Sequence, residues 1–177
     1  MRADAVHFEK ERGVTEVSVR RGIAHVTVSL PPENVGAGRL ELLQRLAAAN
    51  IPVFLIKLLP KGLSFALRES VVEAGAVLLA ESGHPHQLRP DLALITIYAG
   101  AMRDLSGVMA SIYEALISEN IRVWQTGDAH NAVHCLVPGP AADTAIIALR
   151  ETFALHHLLD ADDGEAESPE GLGSGVL

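Results

Sequence analysis

The sequence predicts an α+β fold: two ferredoxin-like units, each a βαββαβ arrangement in which one antiparallel sheet carries two helices. Three observations lead there. First, the chain repeats itself. Laying Leu42–Ile51 over Ile112–Ile121, an offset of 70 residues, aligns Leu46 with Leu116, Asn50 with Asn120 and Ile51 with Ile121. The same offset lays Leu63–Leu67 on Val133–Val137 and Glu73–Glu81 on Asp143–Glu151; Val26–Val28 matches Ile95–Ile97 with one residue of slippage. Second, each copy runs through the same order of hydrophobic periodicities. Third, 49% of the 177 residues are hydrophobic, 20% charged and 4% aromatic, enough for a globular core that must be aliphatic.

Each copy opens on a β-rich segment, Ala24–Leu30 in the first and Leu92–Tyr98 in the second, identified by alternation and β-branched residues. Val14–Val19 and His86–Arg89 read as further short strands. A glycine-containing loop follows each opening strand, at Pro31–Gly38 and Ala99–Gly107. Then comes an amphipathic helix. Its apolar face is Leu40, Leu43, Leu46 and Ala47 in the first copy, and Val108, Met109, Ile112, Tyr113, Leu116 and Ile117 in the second. Ser106 is placed to cap the second of these helices, and Asn50 and Asn120 suit left-handed helix ends. Strands are expected at Ile51–Leu58 and Ile121–Thr126, and again at Leu63–Arg68 and Ala132–Val137 after turns marked by Pro60-Lys61-Gly62 and Gly127-Asp128. Second helices are expected at Glu69–Ser82 and Ala141–Leu155. Runs such as Val53-Phe54-Leu55-Ile56 are apolar throughout, which favours burial on both faces and hence association, within the chain or as a dimer. The sheet face without helices needs a second sheet or a partner chain to cover it.

Charge and cysteine exclude several function classes. The formal net charge is −8. Six acids and no Lys or Arg fall between Asp160 and Leu177; the 14 basic and 16 acidic residues before them leave the body at −2. Nucleic acid, which requires clustered basic residues, is not expected as a partner. The Gly-, Ser- and acid-rich end, 158–177, is expected to be disordered. A single cysteine, Cys135, rules out an intrachain disulfide and a cysteine zinc knuckle; aligned with Phe65, it reads as a small core residue. His130 and His134 share a strand face but have no carboxylate partner in the pattern, so no metal is expected. No apolar run reaches the length of a membrane span, and the first ten residues are too polar for a secretory signal, so the chain is expected in the cytoplasm.

Ala99-Gly100-Ala101-Met102-Arg103-Asp104-Leu105-Ser106-Gly107-Val108, followed by Ile112-Tyr113-Glu114-Ala115-Leu116, resembles the second ACT domain of aspartokinases. Gly13–Val19 and Ala24–Val28 resemble the junction between the aspartokinase catalytic domain and its first ACT domain. The resemblance spans about residues 13–157. It implies two ACT domains packed side by side with strands exchanged between them: a lead-in at 1–12, a first domain at 13–90, a second at 91–157, and strand 14–19 completing the second. It also implies a homodimer and a regulatory, non-catalytic role in amino-acid biosynthesis, because the chain has no room for the catalytic domain. An aspartokinase or another biosynthetic enzyme is the implied partner, an amino acid or similar small effector the implied ligand, and no cofactor is implied.

Loops of small residues running into helix N-termini offer unpaired N–H groups to a carboxylate. The resemblance implies as ligand-binding residues Glu33, Asn34, Val35, Gly36, Ala37 and Gly38 in the first unit, and Met102, Asp104, Ser106, Gly107, Ile121, Arg122 and Val123 in the second. The family's polar pattern is only partly kept. Asn34 replaces an Asp, Gly36 a Pro and Ala37 a Gly; Leu58 replaces a Gln and Arg122 an Asn. Either the effector differs from lysine or threonine, or the module is a ligand-free, protein-binding dimer.

Overall fold

Two long antiparallel strands organise the molecule, β1 (Gly13–Ser29) and β4 (His86–Gly100). The computed structural model describes residues 13–100 and 107–155 and the backbone of Leu158–Asp160. The other elements are α1 (Val35–Ala48), β2 (Phe54–Leu59), β3 (Gly62–Arg68), α2 (Val72–Glu81), α3 (Val108–Ser118), β5 (Gln125–Ala129), β6 (Ala132–Pro138), α4 (Ala142–Thr152) and β7 (Leu158–Asp160). The sheet order is β2-β3-β1-β4-β6-β5, with β7 parallel to β1 at Val17–Val19.

Each long strand works in both units. The second half of β1, from Ile23, lies between β3 and the first half of β4. Its first half, Gly13–Arg20, flanks the second half of β4, whose other edge takes β6. Each unit thus has the four-stranded order of a ferredoxin-like sheet, with one edge strand lent by the other. The segments read separately as Val14–Val19 and Ala24–Leu30, and as His86–Arg89 and Leu92–Tyr98, are continuous strands.

The junctions are register shifts between Arg20 and Ile23 and between Ile23 and His25, with left-handed residues at Gly22 (φ 67) and Asp91 (φ 57). They obey the repeat. A Cβ on Gly22 would stand 2.7 Å from Oε2 of Glu69, and one on Gly139 would stand 2.6 Å from Oδ1 of Asp91. Each bulge therefore rests on the 3-10 turn that opens a second helix, Glu69–Val71 or Gly139–Ala141.

Side-chain alternation sorts the residues into three cores. Val26, Val28, Leu63, Phe65 and Leu67 face α1 and α2. Val17, Val19, Ala93, Ile95, Ile97, Val133, Cys135 and Val137 face α3 and α4. The helix-free faces meet in a third cluster, where Ile23, Ala66, Leu92, Leu94 and Leu136 are buried with Phe54, Leu55 and Trp124 against them. The cover that the bare sheet face requires therefore comes from within the chain.

Three expectations need correction. The strands predicted from Ile51 and Ile121 start later, at Phe54 and Gln125. Asn50 (φ 52) and Asn120 (φ 54) reverse the chain, and the N–H groups of Ile51 and Ile121 donate back to the carbonyls of Leu46 and Leu116, at 2.9 Å each. Ile51 and Ile121 thereby close the helix ends and plug the cores. The helix faces are narrower than predicted. Ile112 and Leu116 are buried, while Met109, Tyr113 and Ile117 form a second, exposed stripe; Leu42 and Leu46 are buried, while Leu40 is exposed. Finally, Leu158–Asp160, placed in the tail, pair as β7; the rest of the expected tail lies outside the described residues.

Phe65 is fully buried, so Phe65→Ala is expected to cost about 3–5 kcal/mol, read as a lower urea midpoint with a similar slope. Cys135 is fully buried in the other core, and burial pushes its thiol up to about 12. A thiol reagent at pH 8 is expected to label the native chain slowly and the urea-unfolded chain fast, making this one cysteine a reporter of opening of the second unit.

Candidate functional site

The first strand-to-helix loop lies at the surface. In the first unit, Pro32–Asn34 form a 3-10 turn and Val35 starts α1. No side chain caps that helix. Glu33, Asn34, Gly36 and Ala37 are exposed, and a Cβ on Gly36 would meet nothing within 4 Å. Gly38 has a different part. It is buried, and a Cβ there would stand 3.1 Å from Leu30, so its smallness sets the approach of helix to strand. Arg39 is committed as well: its Nε donates to the Gly62 carbonyl at 3.0 Å and its guanidinium also reaches the Leu59 carbonyl, tying α1 to the β2–β3 turn.

In the second unit Gly107, left-handed at φ 87, is the N-cap of α3 and offers it no side chain. Met102, Asp104 and Ser106 lie outside the described residues. Ile121 and Val123 both serve the second core, Ile121 fully and Val123 in part. Arg122 stacks on Trp124, its guanidinium 3.8 Å from the ring centroid, while Arg89 covers the ring at 3.7 Å. The indole thus joins β4 to the segment before β5, and each guanidinium keeps its in-plane N–H groups for other partners. The structure therefore does not bring the predicted residues into one cluster. Of the described ones, Glu33–Gly38 lie at the start of α1, Gly107 precedes α3, and Arg122 stacks on Trp124 before β5.

Sequence reasoning missed a polar network between the sheets. Gln125 is buried. Its Oε1 accepts from Ser64 Oγ at 2.6 Å and from His25 Nε2 at 2.9 Å, and its Nε2 donates to the Leu55 carbonyl. Leu55 is itself left-handed (φ 50) and sits at the repeat position of Gln125. Across the cluster, His134 Nδ1 lies 3.1 Å from Thr96 Oγ1. The one available signal was Gln125 itself, a polar residue where the first copy has leucine. Burial holds the His25 ring below its usual pKa; the Gln125 contact opposes this and Arg89 adds to it. Burial, then Arg20, lowers His134 likewise.

Residues 87–151 match the ACT domain family model. Aspartokinase 1 of Bacillus subtilis (strain 168) is 25% identical over 139 residues, which is 76% of this chain and 34% of the relative, so the chain spans about a third of that protein. The ligand-free regulatory subunit of aspartate kinase from Thermus thermophilus superposes with a TM-score of 0.72 at 21% identity, over 79% of this chain and 97% of that one. Aspartokinase III of E. coli, solved with lysine and aspartate in its T-state, matches at 0.66 and 21% identity, over 82% of this chain and 34% of that one. Among the described residues no helix is long and apolar enough to cross a membrane, and no three His, Cys, Asp or Glu side chains gather as metal ligands.

The two perturbed histidines give a pH dependence. Both have folded values below the 6.5 of the unfolded chain, so the unfolded state takes up protons first on acidification. Their stabilisation is complete above about pH 6.5 and is lost progressively below it. The melting temperature is expected to fall from pH 7 to pH 5, and His25→Gln with His134→Gln to flatten that slope.

Proposed function

We propose that this chain, a tandem ACT protein resembling the regulatory region of aspartokinase, is a non-catalytic regulatory module that senses an amino acid or a similar small effector. The effector would bind where strand-to-helix loops meet an interface, at Glu33–Gly38 in the first unit and at Met102, Asp104, Ser106, Gly107 and Ile121–Val123 in the second. The observation that carries this is the pair of uncapped helix starts. Neither N-cap residue, Asn34 or Gly107, puts a side chain on the first N–H groups of its helix, and a Cβ on Gly36 or Gly107 would meet nothing within 4 Å among the described residues. A carboxylate fits such a place, and Asn34, Asp104 or Ser106 would orient an ammonium group.

Regulation follows from differential binding. An effector that prefers one arrangement of the ACT interface shifts the population towards it, and a partner enzyme of amino-acid biosynthesis, an aspartokinase in the first instance, senses the difference. A homodimer would complete the interface. The apolar side chains left exposed on the helices, Leu40, Val77, Met109, Tyr113, Ile117 and Ile147, support association. They equally favour the second reading, a ligand-free ACT dimer that binds protein alone, as does the exposed Leu58 at a position where the family carries a polar residue.

Thermal-shift measurements against the twenty amino acids decide between the two. An effector present at 100 times its Kd is expected to add about 2.7 kcal/mol, a rise of several degrees. Asn34→Ala and Arg122→Ala are expected to remove that rise; the exposed Asn34 change leaves the ligand-free melting temperature within a degree or two, while Arg122→Ala also loses its stacking on Trp124 and lowers it by a few degrees. No rise with any amino acid at millimolar concentration would leave the ligand-free dimer. Aspartyl-phosphate formation by the purified chain would overturn the non-catalytic assignment.

A further inference from the structure

Between the two units, on the helix-free side, lies a cleft of about 660 Å³, within the range of small-ligand sites. Both units build it. Lys57 of β2 and Arg68 at the end of β3 come from the first; Arg20 of β1 and His134 of β6 come from the second. Its floor is apolar, made by Phe54, Leu55 and Leu94. Three permanent cations thus face one cleft, and among the described residues Asp128 is the one carboxylate lining it, an excess of two positive charges.

Those cations are not neutralised. Among the described residues Arg20, Lys57 and Arg68 form no ion pair. Glu16, four residues before Arg20 on the same strand, pairs with none of them either. Lys57 Nζ donates one long hydrogen bond to the Thr126 carbonyl, at 3.4 Å, which leaves its charge without a counter-ion. The Nε of Arg20 is buried and donates to nothing. That nitrogen is shut off from solvent, so the part of Arg20 that lines the cleft is the rest of its side chain. Like charges gathered over an apolar floor also raise the local potential for an anion above that of a solvated surface.

We propose that this intersheet cleft binds a small dianion, a dicarboxylate or a phosphate monoester, between Arg20, Lys57 and Arg68. The bound anion would tie the first unit to the second, because its cationic contacts come from both. The cleft shares no lining residue with Glu33–Gly38 or Gly107 and does not depend on them: an amino-acid zwitterion suits a helix start with a polar side chain nearby, whereas an excess of two positive charges suits a dianion. The state of the cleft would set how firmly the sheets are held together, and so offers a second input to the same fold.

Isothermal titration with succinate and with glycerol 3-phosphate, at constant ionic strength, tests this on the full chain. Acetate and glycerol serve as controls, and the two probes separate carboxylate from phosphate. Saturable one-to-one binding of at least one dianion is expected, weakened at least about tenfold by Lys57→Gln or by Arg68→Gln and abolished by Arg20→Gln. Lys57 and Arg68 are exposed, so their variants keep the test sound if Arg20→Gln fails to fold. The His134 ring protons should shift on titration in the NMR spectrum. The proposal is overturned if neither dianion binds up to about 10 mM, or if both exposed variants bind as the wild type does. Asn34→Ala and Arg122→Ala should leave dianion binding intact, so failure of the amino-acid site and failure of this one are told apart.

Discussion

The structure depends on the pairing of β1 with β4. Each strand is long enough to enter both units, and each unit borrows its fourth strand from the other. Neither sheet can be completed without that ribbon. An edge strand left unpaired would expose a row of backbone donors and acceptors, so a chain holding only one unit would present an incomplete sheet. Cooperativity between the units is thus built into the hydrogen bonding, before any effector or partner is considered.

The ribbon also dictates what lies between the sheets. Its bulges at Arg20–Ile23 and at Asp91 turn one half of each strand relative to the other, which brings the two helix-free faces together. Hydrophobic side chains fill most of that contact, and Gln125 joins Ser64, His25 and the Leu55 backbone across it. A buried amide with its hydrogen bonds made fixes one relative position of the sheets, because any slip would leave it unsatisfied. Where the packing opens, the cations of β1, β2 and β3 line the cleft. The same contact that rigidifies the pair therefore creates a surface through which small anions could act on it.

The repeat was legible because two copies report on one another. Leu46 with Leu116, Asn50 with Asn120 and Phe65 with Cys135 each play the same structural part in both units, and the left-handed asparagines end the helices as their residue type predicts. The strand starts were less legible. Ile51 and Ile121 look like strand residues by type, yet their N–H groups are used by the helices before them. Helix faces misled in the same way. Met109, Tyr113 and Ile117 are apolar at helical spacing, but only the stripe of Ile112 and Leu116 meets the sheet. Apolar periodicity identifies a helix and its general orientation; it does not tell which of two adjacent stripes is covered.

By itself, the sequence determined the α+β class, the two-fold repeat, the order of elements and the loops that run into helix starts. These follow from local periodicity, turn chemistry and self-similarity, all of which act over a few residues or recur at a fixed offset. The tertiary structure alone decided which faces meet. It put Gln125 against His25 across 100 positions of chain, stacked Arg89 and Arg122 on opposite sides of Trp124, and turned Arg20, Lys57 and Arg68 towards one cleft. No periodicity encodes those meetings, because they depend on how two bulged strands twist two sheets into contact.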